Sequence, residues 1–330
     1  MQNIIFIPTH KSPWRRHPSN PKIILDASDT VGSSLMRACI PFAFMKRKYN
    51  GILQSFCSRI LPEYAKKNDI VIFVKDRNHP HIKESKKRGC ITVYDPIDSY
   101  CEFNNDGKFD IMIASCDAHA EILSKRHSIE RSKIIVIDVL HSNVNREKSL
   151  PKSKDQITVV GSVNPGDTAM LRKEVYQDLV LFGKDNQFEV KNVNSDLAKF
   201  SLDYNTIKVN NLFECYKDIH IGLALYDPKD LDYDRVNQKP STKISGYASY
   251  DIPVICTYQK SMDKIIDKFP DFKFYIAKDV TDAKSIMLKL VKDYDFYLNS
   301  RKLFHDIGEM FHMDHSFDLY VKQINEAYGL

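Results

Sequence analysis

The chain has 330 residues, 43% of them hydrophobic and 28% charged, with a formal net charge of +5. That composition belongs to a soluble globular protein with room for two domains, and it excludes a disordered chain. No apolar run is long enough to span a bilayer, and the apolar part of MQNIIFIPTHKSPWRRH is too short for a signal peptide. KIILDA (22–27) reads as a strand, and SSLMRACIPFAFMKRKY after it as a helix bent at Pro41. ILQSFC reads as a strand, PEYAKKN as a short helix, DIVIFVK (69–75) as a buried strand, and HIKESKKRG as a helix ended by Gly89. CITVYD, FDIMIAS (109–115) and KIIVIDV (133–139) are further strands, with the helix DAHAEILSKRH between the last two. Apolar strands alternating with helices predict a parallel sheet covered on both faces.

Residues 145–156, NREKSLPKSKDQ, are polar, lack a hydrophobic period and read as a linker. The alternation then resumes. QITVVGS, QFEVKNV, HIGLALY and PVICTY are strand-like, and helices fit 168–181, NNLFECYKD and TKISGYASY. A helical tail runs from AKSIMLKL onward. The expected architecture is α/β: two Rossmann-like doubly wound domains facing a cleft, over 1–150 and 151–310. A C-terminal helix over 311–330 is placed to pack back on the first domain.

Seven cysteines are scattered singly with no C-x-x-C pair, which fits reduced thiols in a cytoplasm. The basic clusters WRRH, MKRKYN, KESKKRG and SKRHSIERSK read first as solvated helix faces. Their second reading is peripheral contact with an anionic membrane leaflet or an anionic substrate. No basic region carries stacking aromatics at a nucleic-acid-binding spacing.

Two stretches suggest an anion site. GSVNPGDT (161–168) is a small-residue turn before a helix, which brings in Gly161 and Asn164; it has neither the dinucleotide fingerprint nor P-loop spacing. In NQKPSTKISGYASYDIPVICTY (237–258), Pro240 stops any preceding helix and Ser241 is a natural N-cap. Thr242 and Lys243 fall in the first turn with Lys239 just upstream, and Tyr226 ends the preceding strand. Exposed N–H donors, two hydroxyls and ammonium groups together suit a diphosphate. A capped helix with solvent-facing lysines is the plainer alternative.

The segment Lys239-Pro240-Ser241, Lys243, Tyr247-Ala248, Pro253-Val254-Ile255 resembles the C-terminal-domain signature K-P-S-[KR]-L-x-E-Y-x-A-x-G-x-P-V-I of GT-B-fold glycosyltransferases of the family-4-like clan, with Thr242 inserted before the lysine. YKDIHIGLALYDP, GSSLMRACIPFAFMKRKYNG, DIMIASCDAHAEIL and IIVIDVLHSNVN are similar to further elements of that clan in the same order. The resemblance implies sugar transfer from a nucleotide-activated donor to a glycan or lipid-linked acceptor in polysaccharide or glycoconjugate synthesis, with retention of configuration. It also implies that the phosphates are neutralised by protein groups, with no metal and no other cofactor. Two positions depart from it. The clan's ribose-binding glutamate is Gly246 here and its later glycine is Asp251, with Asp227 and Asp230 as possible substitutes for the glutamate.

Polar residues at the ends of the N-terminal strands are the candidates for the chemistry, because ligands bind beyond the carboxyl ends of parallel strands. Asp29 and Arg37 follow the first strong strand and could orient an acceptor hydroxyl or a phosphate. His141 follows KIIVIDV and can exchange a proton near neutral pH. Capping the strand end is its structural alternative. His312, Asp314 and His315 lack a further neighbouring ligand, so no metal site is expected. A noncatalytic nucleotide-sugar or glycan-binding protein and a sugar-nucleotide epimerase are the competing functions. A serine hydrolase is disfavoured by the absence of a G-x-S-x-G elbow.

Overall fold

The computed structural model describes residues 2–8, 35–49, 51–58, 60–97, 107–127, 129–141, 143, 146–163, 173–193, 202–203, 206–207, 216–226 and 240–330. The expected strand 22–27 and most of the expected helix NNLFECYKD lie outside them.

The first sheet is built from β1 (Asn3–Ile7), β2 (Gln54–Cys57), β3 (Ile70–Val74), β4 (Ile91–Asp95), β5 (Ile111–Ala114) and β6 (Ile134–Val136), in the spatial order β2-β1-β3-β4-β5-β6. Every described pair is parallel. The alternation of side chains across the strands divides the core. Ile4, Phe6, Ile70, Ile72 and Val74 face one buried layer. Ile5, Ile7, Val71 and Phe73 face the other. Covered on both faces, such strands must be apolar throughout. β1 is an interior strand that the sequence does not announce, because NIIFI has the look of a short leader.

Helices α1 (Ile40–Lys48), α2 (His81–Lys87) and α3 (Asp117–His127) connect these strands. A π-helical turn, Leu35–Cys39, leads into α1, and Pro41 sits in the first turn of that helix. Proline has no N–H to give to the preceding turn, so the bend expected there takes the form of a widened turn. Gly89 ends α2 with φ +73°, as expected.

The expected helix PEYAKKN is instead a pair of turns. Asp69 explains the difference. Its carboxylate accepts the Lys66 N–H at 2.9 Å and both the N–H and the amide of Asn3 at 2.9 Å, so the segment bonds to a side chain rather than to its own backbone.

The second sheet contains β7 (Val159–Val163), β8 (Glu189–Val193), β11 (Ile221–Ala224), β12 (Val254–Thr257) and β13 (Ile276–Ala277), ordered β13-β12-β11-β7-β8 and parallel throughout. A small antiparallel pair, β9 (Leu202–Asp203) and β10 (Thr206–Ile207), stands apart from it. Helices α4 (Lys173–Asp185), α5 (Thr242–Ala248), α6 (Asp263–Lys268), α7 (Val280–Lys292) and α8 (Tyr294–Met310) accompany this sheet. Asp279 and Asp293 cap α7 and α8 by accepting the Asp282 and Phe296 N–H groups at 2.8 and 2.9 Å.

The chain then returns. Tyr297, Phe304 and Ile307 of α8 are buried with the second sheet. Met313, Tyr320, Val321 and Ile324, the last of these in α9 (Gln323–Tyr328), are buried with the first. Tyr320 meets Phe6 edge-on, with centroids 5.7 Å apart. The described part of the stretch read as a linker, 146–156, has no helix or strand but is fastened down. Ser149 N–H donates to Tyr250 O at 3.1 Å, and the buried Lys152 ammonium donates to Thr158 Oγ1 at 2.9 Å and Val291 O at 2.7 Å.

Candidate functional site

In both sheets the earliest described strand has its two successors on opposite sides, so the order reverses between β1 and β3 and between β7 and β11. Crevices beyond the carboxyl ends of such strands are where ligands bind.

Gly161 was expected in the loop after its strand, but it lies inside β7, buried. A Cβ there would stand 2.6 Å from Ile219 Cδ1, and its carbonyl accepts the Tyr247 hydroxyl at 2.8 Å. Close packing therefore requires this glycine. Tyr226 is half-buried beyond β11. Its N–H donates to Thr257 Oγ1 at 3.0 Å, and the Thr257 hydroxyl donates to Tyr226 O at 3.2 Å, which stitches two strand ends together. Asn164, Lys239 and Asp29 lie outside the described residues, as do Asp227 and Asp230.

Helix α5 starts where its sequence indicates. Ser241 occupies the N-cap position, but its ψ of 36° is not the extended value from which a cap side chain reaches back to the first turn. Its buried hydroxyl instead donates across to Ser261 Oγ at 3.0 Å, tying α5 to the turn after β12. Thr242 and Lys243 follow, half-buried, in the first turn. Gln259, only 2% exposed, holds its Nε2 in the interior without a hydrogen-bond partner among the described residues. Gly246 is crowded from outside: a Cβ there would stand 3.0 Å from the Tyr216 hydroxyl oxygen. The helix face that carries glutamate in the resembled signature is occupied by a tyrosine hydroxyl here.

The strand ends of the first sheet meet these elements. Arg37 is buried; its Nε donates to Asp95 at 2.7 Å, and its Nη1 donates to the carbonyls of Ile137 and Asp138, each at 2.8 Å. Arg37 thus locks the ends of β4 and β6 together, with Nη2 buried and unpartnered among the described residues. Burial lowers the guanidinium pKa, but Asp95 more than compensates, and the net shift is upward.

Asp138 forms an ion pair with Lys264 of α6, which joins the end of β6 to the segment beyond β12. Burial brings the Lys264 ammonium down to about 8, opposed by the neighbouring Asp117 carboxylate and Cys116 thiol. Neither Asp138 nor Lys264 was singled out from sequence. The available signals were a lone carboxylate interrupting the apolar run KIIVIDV and a lysine just beyond PVICTY.

His141 lies at the same seam but deeper, 3% exposed. The Asn143 N–H donates to Nδ1 at 3.2 Å, so the proton resides on Nε2, which donates to Gly308 O at 3.0 Å. Burial, with His312 second, pushes this imidazole down to about 3. In this geometry both ring nitrogens are taken by backbone, and His141 joins the strand end to α8. Nearby, Asn143 Nδ2 donates to Ser249 O at 2.7 Å, and Arg146 pairs with Glu309 at 3.0 Å. Among the described residues no group of three or more His, Cys, Asp or Glu side chains is placed to hold a metal ion.

No protein-family model and no curated protein matches the sequence. The backbone does match solved structures. It is similar to sucrose-phosphate synthase from Thermosynechococcus elongatus at 9% identity and a TM-score of 0.54, covering 100% of both chains. A glycosyltransferase from Rickettsia africae matches at 11% identity and 0.53, over 99% of this chain and 98% of that one. The fold is GT-B. The GtfA/B complex matches at 12% identity and 0.51 over 80% of this chain, which spans only 58% of the length of that one. No helix among the described residues is long and apolar enough to cross a membrane.

Proposed function

We propose that the protein is a glycosyltransferase, resembling the family-4-like clan, that moves a sugar from a nucleotide-activated donor to a glycan or lipid-linked acceptor. The observation that carries this reading is the meeting of strand ends from two parallel sheets, joined through Asp138 and Lys264, in a backbone that matches two sugar transferases from end to end. The second sheet would hold the donor, with Lys243 and Thr242 beside the diphosphate and Tyr226 at the neighbouring strand end. Lys239 and Asn164 complete that set from their sequence positions. The first sheet would hold the acceptor, with Arg37 and His141 as positioning residues and Asp29 on the adjoining loop.

Lysine ammonium groups and backbone N–H groups neutralise a leaving diphosphate without a metal, so the proposed reaction needs none. Retention of configuration follows the clan resembled. The basic turn Lys46-Arg47-Lys48 that ends α1 suits peripheral contact with an anionic leaflet on the cytoplasmic face. A noncatalytic nucleotide-sugar-binding protein is the second reading, favoured by Gly246. The test is a thermal-shift screen of UDP- and GDP-sugars followed by assay of nucleoside diphosphate release. A ligand at 100 times its Kd should stabilise by about 2.7 kcal/mol. Binding with turnover supports the enzyme, binding alone supports the second reading, and no binding removes both.

A further inference from the structure

We infer that Asp138 is the group that receives the acceptor hydroxyl, and that Lys264 is the residue that positions it; this rests on the glycosyltransferase reading. The other carboxylates at this edge are otherwise engaged. Asp95 is fully buried and consumed by Arg37. Asp76 accepts the Asn78 N–H at 3.2 Å. Asp117 is largely exposed and reaches Arg131 at 3.5 Å. Asp138 alone among the described carboxylates of the first-sheet strand ends pairs with a side chain from beyond the second sheet.

Its placement is over-determined. Arg37 grips its carbonyl from within the first sheet, and Lys264 grips its carboxylate from α6. The Asp138 side chain keeps 16% of its surface exposed. An ammonium beside a carboxylate keeps it ionised, and an ionised carboxylate is an acceptor only. In the transfer, the acceptor oxygen forms the new bond to the anomeric carbon while the bond from that carbon to the diphosphate oxygen breaks. On the retaining course the acceptor oxygen arrives on the face that the diphosphate leaves; the bonding pair and the hydroxyl proton both go to the departing diphosphate oxygen, while Asp138 orients the hydroxyl by accepting its hydrogen bond.

Lys264 faces Asp138 from beyond β6, Asp117 and Cys116 from the start of α3, and the Phe311 ring after α8 at 5.0 Å. Burial outweighs the opposing influence of Asp117 and Cys116 and brings its ammonium down to about 8. Above that pH the clamp on Asp138 loses its charge.

The experiment follows nucleoside diphosphate release from UDP-glucose, UDP-N-acetylglucosamine and GDP-mannose with water as acceptor, across neutral and alkaline pH, beside UDP and GDP affinities. Asp138→Asn should lower kcat about 100-fold, through loss of acceptor orientation, with nucleotide affinity kept. The wild-type rate should fall above about pH 8, and Lys264→Arg, whose charge persists, should remove that fall. A wild-type kcat in Asp138→Asn overturns the inference while the glycosyltransferase reading stands, and so does an unchanged alkaline fall in Lys264→Arg. The arginine variant decides the matter if Asp138→Asn does not fold. A wild type that releases no diphosphate from any donor defeats the reading and the inference together.

Discussion

Arg37 and Asp95 form an ion pair at 2.7 Å in which neither side chain has more than 1% of its surface exposed. The pair joins the turn before α1 to the end of β4, and its guanidinium also holds the segment beyond β6. Arg37→Met would leave the Asp95 carboxylate buried and uncompensated, a loss of about 3–5 kcal/mol. Urea unfolding measures it. The double variant Arg37→Met, Asp95→Leu should recover part of the loss, because it removes the stranded charge.

Lys243 stands in the first turn of α5, where the proposed donor diphosphate would lie. Lys243→Ala should weaken UDP or GDP binding by roughly 1.5–3 kcal/mol, the range for a hydrogen bond to a charged group. Titration calorimetry checks this, and an unchanged affinity would remove Lys243 from the phosphate site.

Two buried imidazoles set an acid limit. His141 is held down to about 3 and His220 to about 4, both mainly by burial. The unfolded chain binds these protons near pH 6.5, so it carries more protons than the fold below that pH, and stability falls as pH drops. The contribution is fully present above about 6.5 and is lost progressively towards 4 and 3. At pH 5 each histidine should have cost about 2 kcal/mol relative to neutral pH. Urea midpoints at the two pH values measure the difference, and His141→Gln should reduce it.

Gly308 of α8 packs on the end of α5. A Cβ there would stand 2.5 Å from Ala248 O and 2.8 Å from its carbonyl carbon, and backbone atoms cannot swing aside. Gly308→Ala should destabilise by about 1–3 kcal/mol through overpacking. It should also disturb His141, whose Nε2 donates to the Gly308 carbonyl. The imidazole NMR resonance of His141 reports that coupling.

Much of the fold was legible because buried parallel strands must be apolar on both faces. DIVIFVK, CITVYD, FDIMIAS and PVICTY could be little else. NIIFI was missed because four apolar residues after an asparagine carry no turn signal before them. PEYAKKN misled because its spacing says nothing of Asp69, whose carboxylate competes for its N–H groups.

The site was less legible. Sequence placed α5 correctly but not the Ser241 hydroxyl, because the partner of a cap side chain is fixed by a backbone angle and by a residue twenty positions away. Asp251, where the resembled signature has glycine, adopts φ +59°, the left-handed conformation that glycine favours and aspartate tolerates. Its carboxylate is anchored by Lys148 at 3.1 Å and His305 at 3.0 Å, partners remote in sequence. The pairing of Asp138 with Lys264 arises only when the two sheets meet, and no local pattern encodes it.

The most direct test of the central claim is nucleoside diphosphate release from a panel of UDP- and GDP-sugars, with and without EDTA. Turnover of at least one donor is expected, at a rate that EDTA leaves unchanged and that Lys243→Ala lowers. Failure of every donor to bind or turn over would contradict it, and turnover abolished by EDTA and restored by Mg²⁺ or Mn²⁺ would contradict the protein-based neutralisation of the leaving diphosphate.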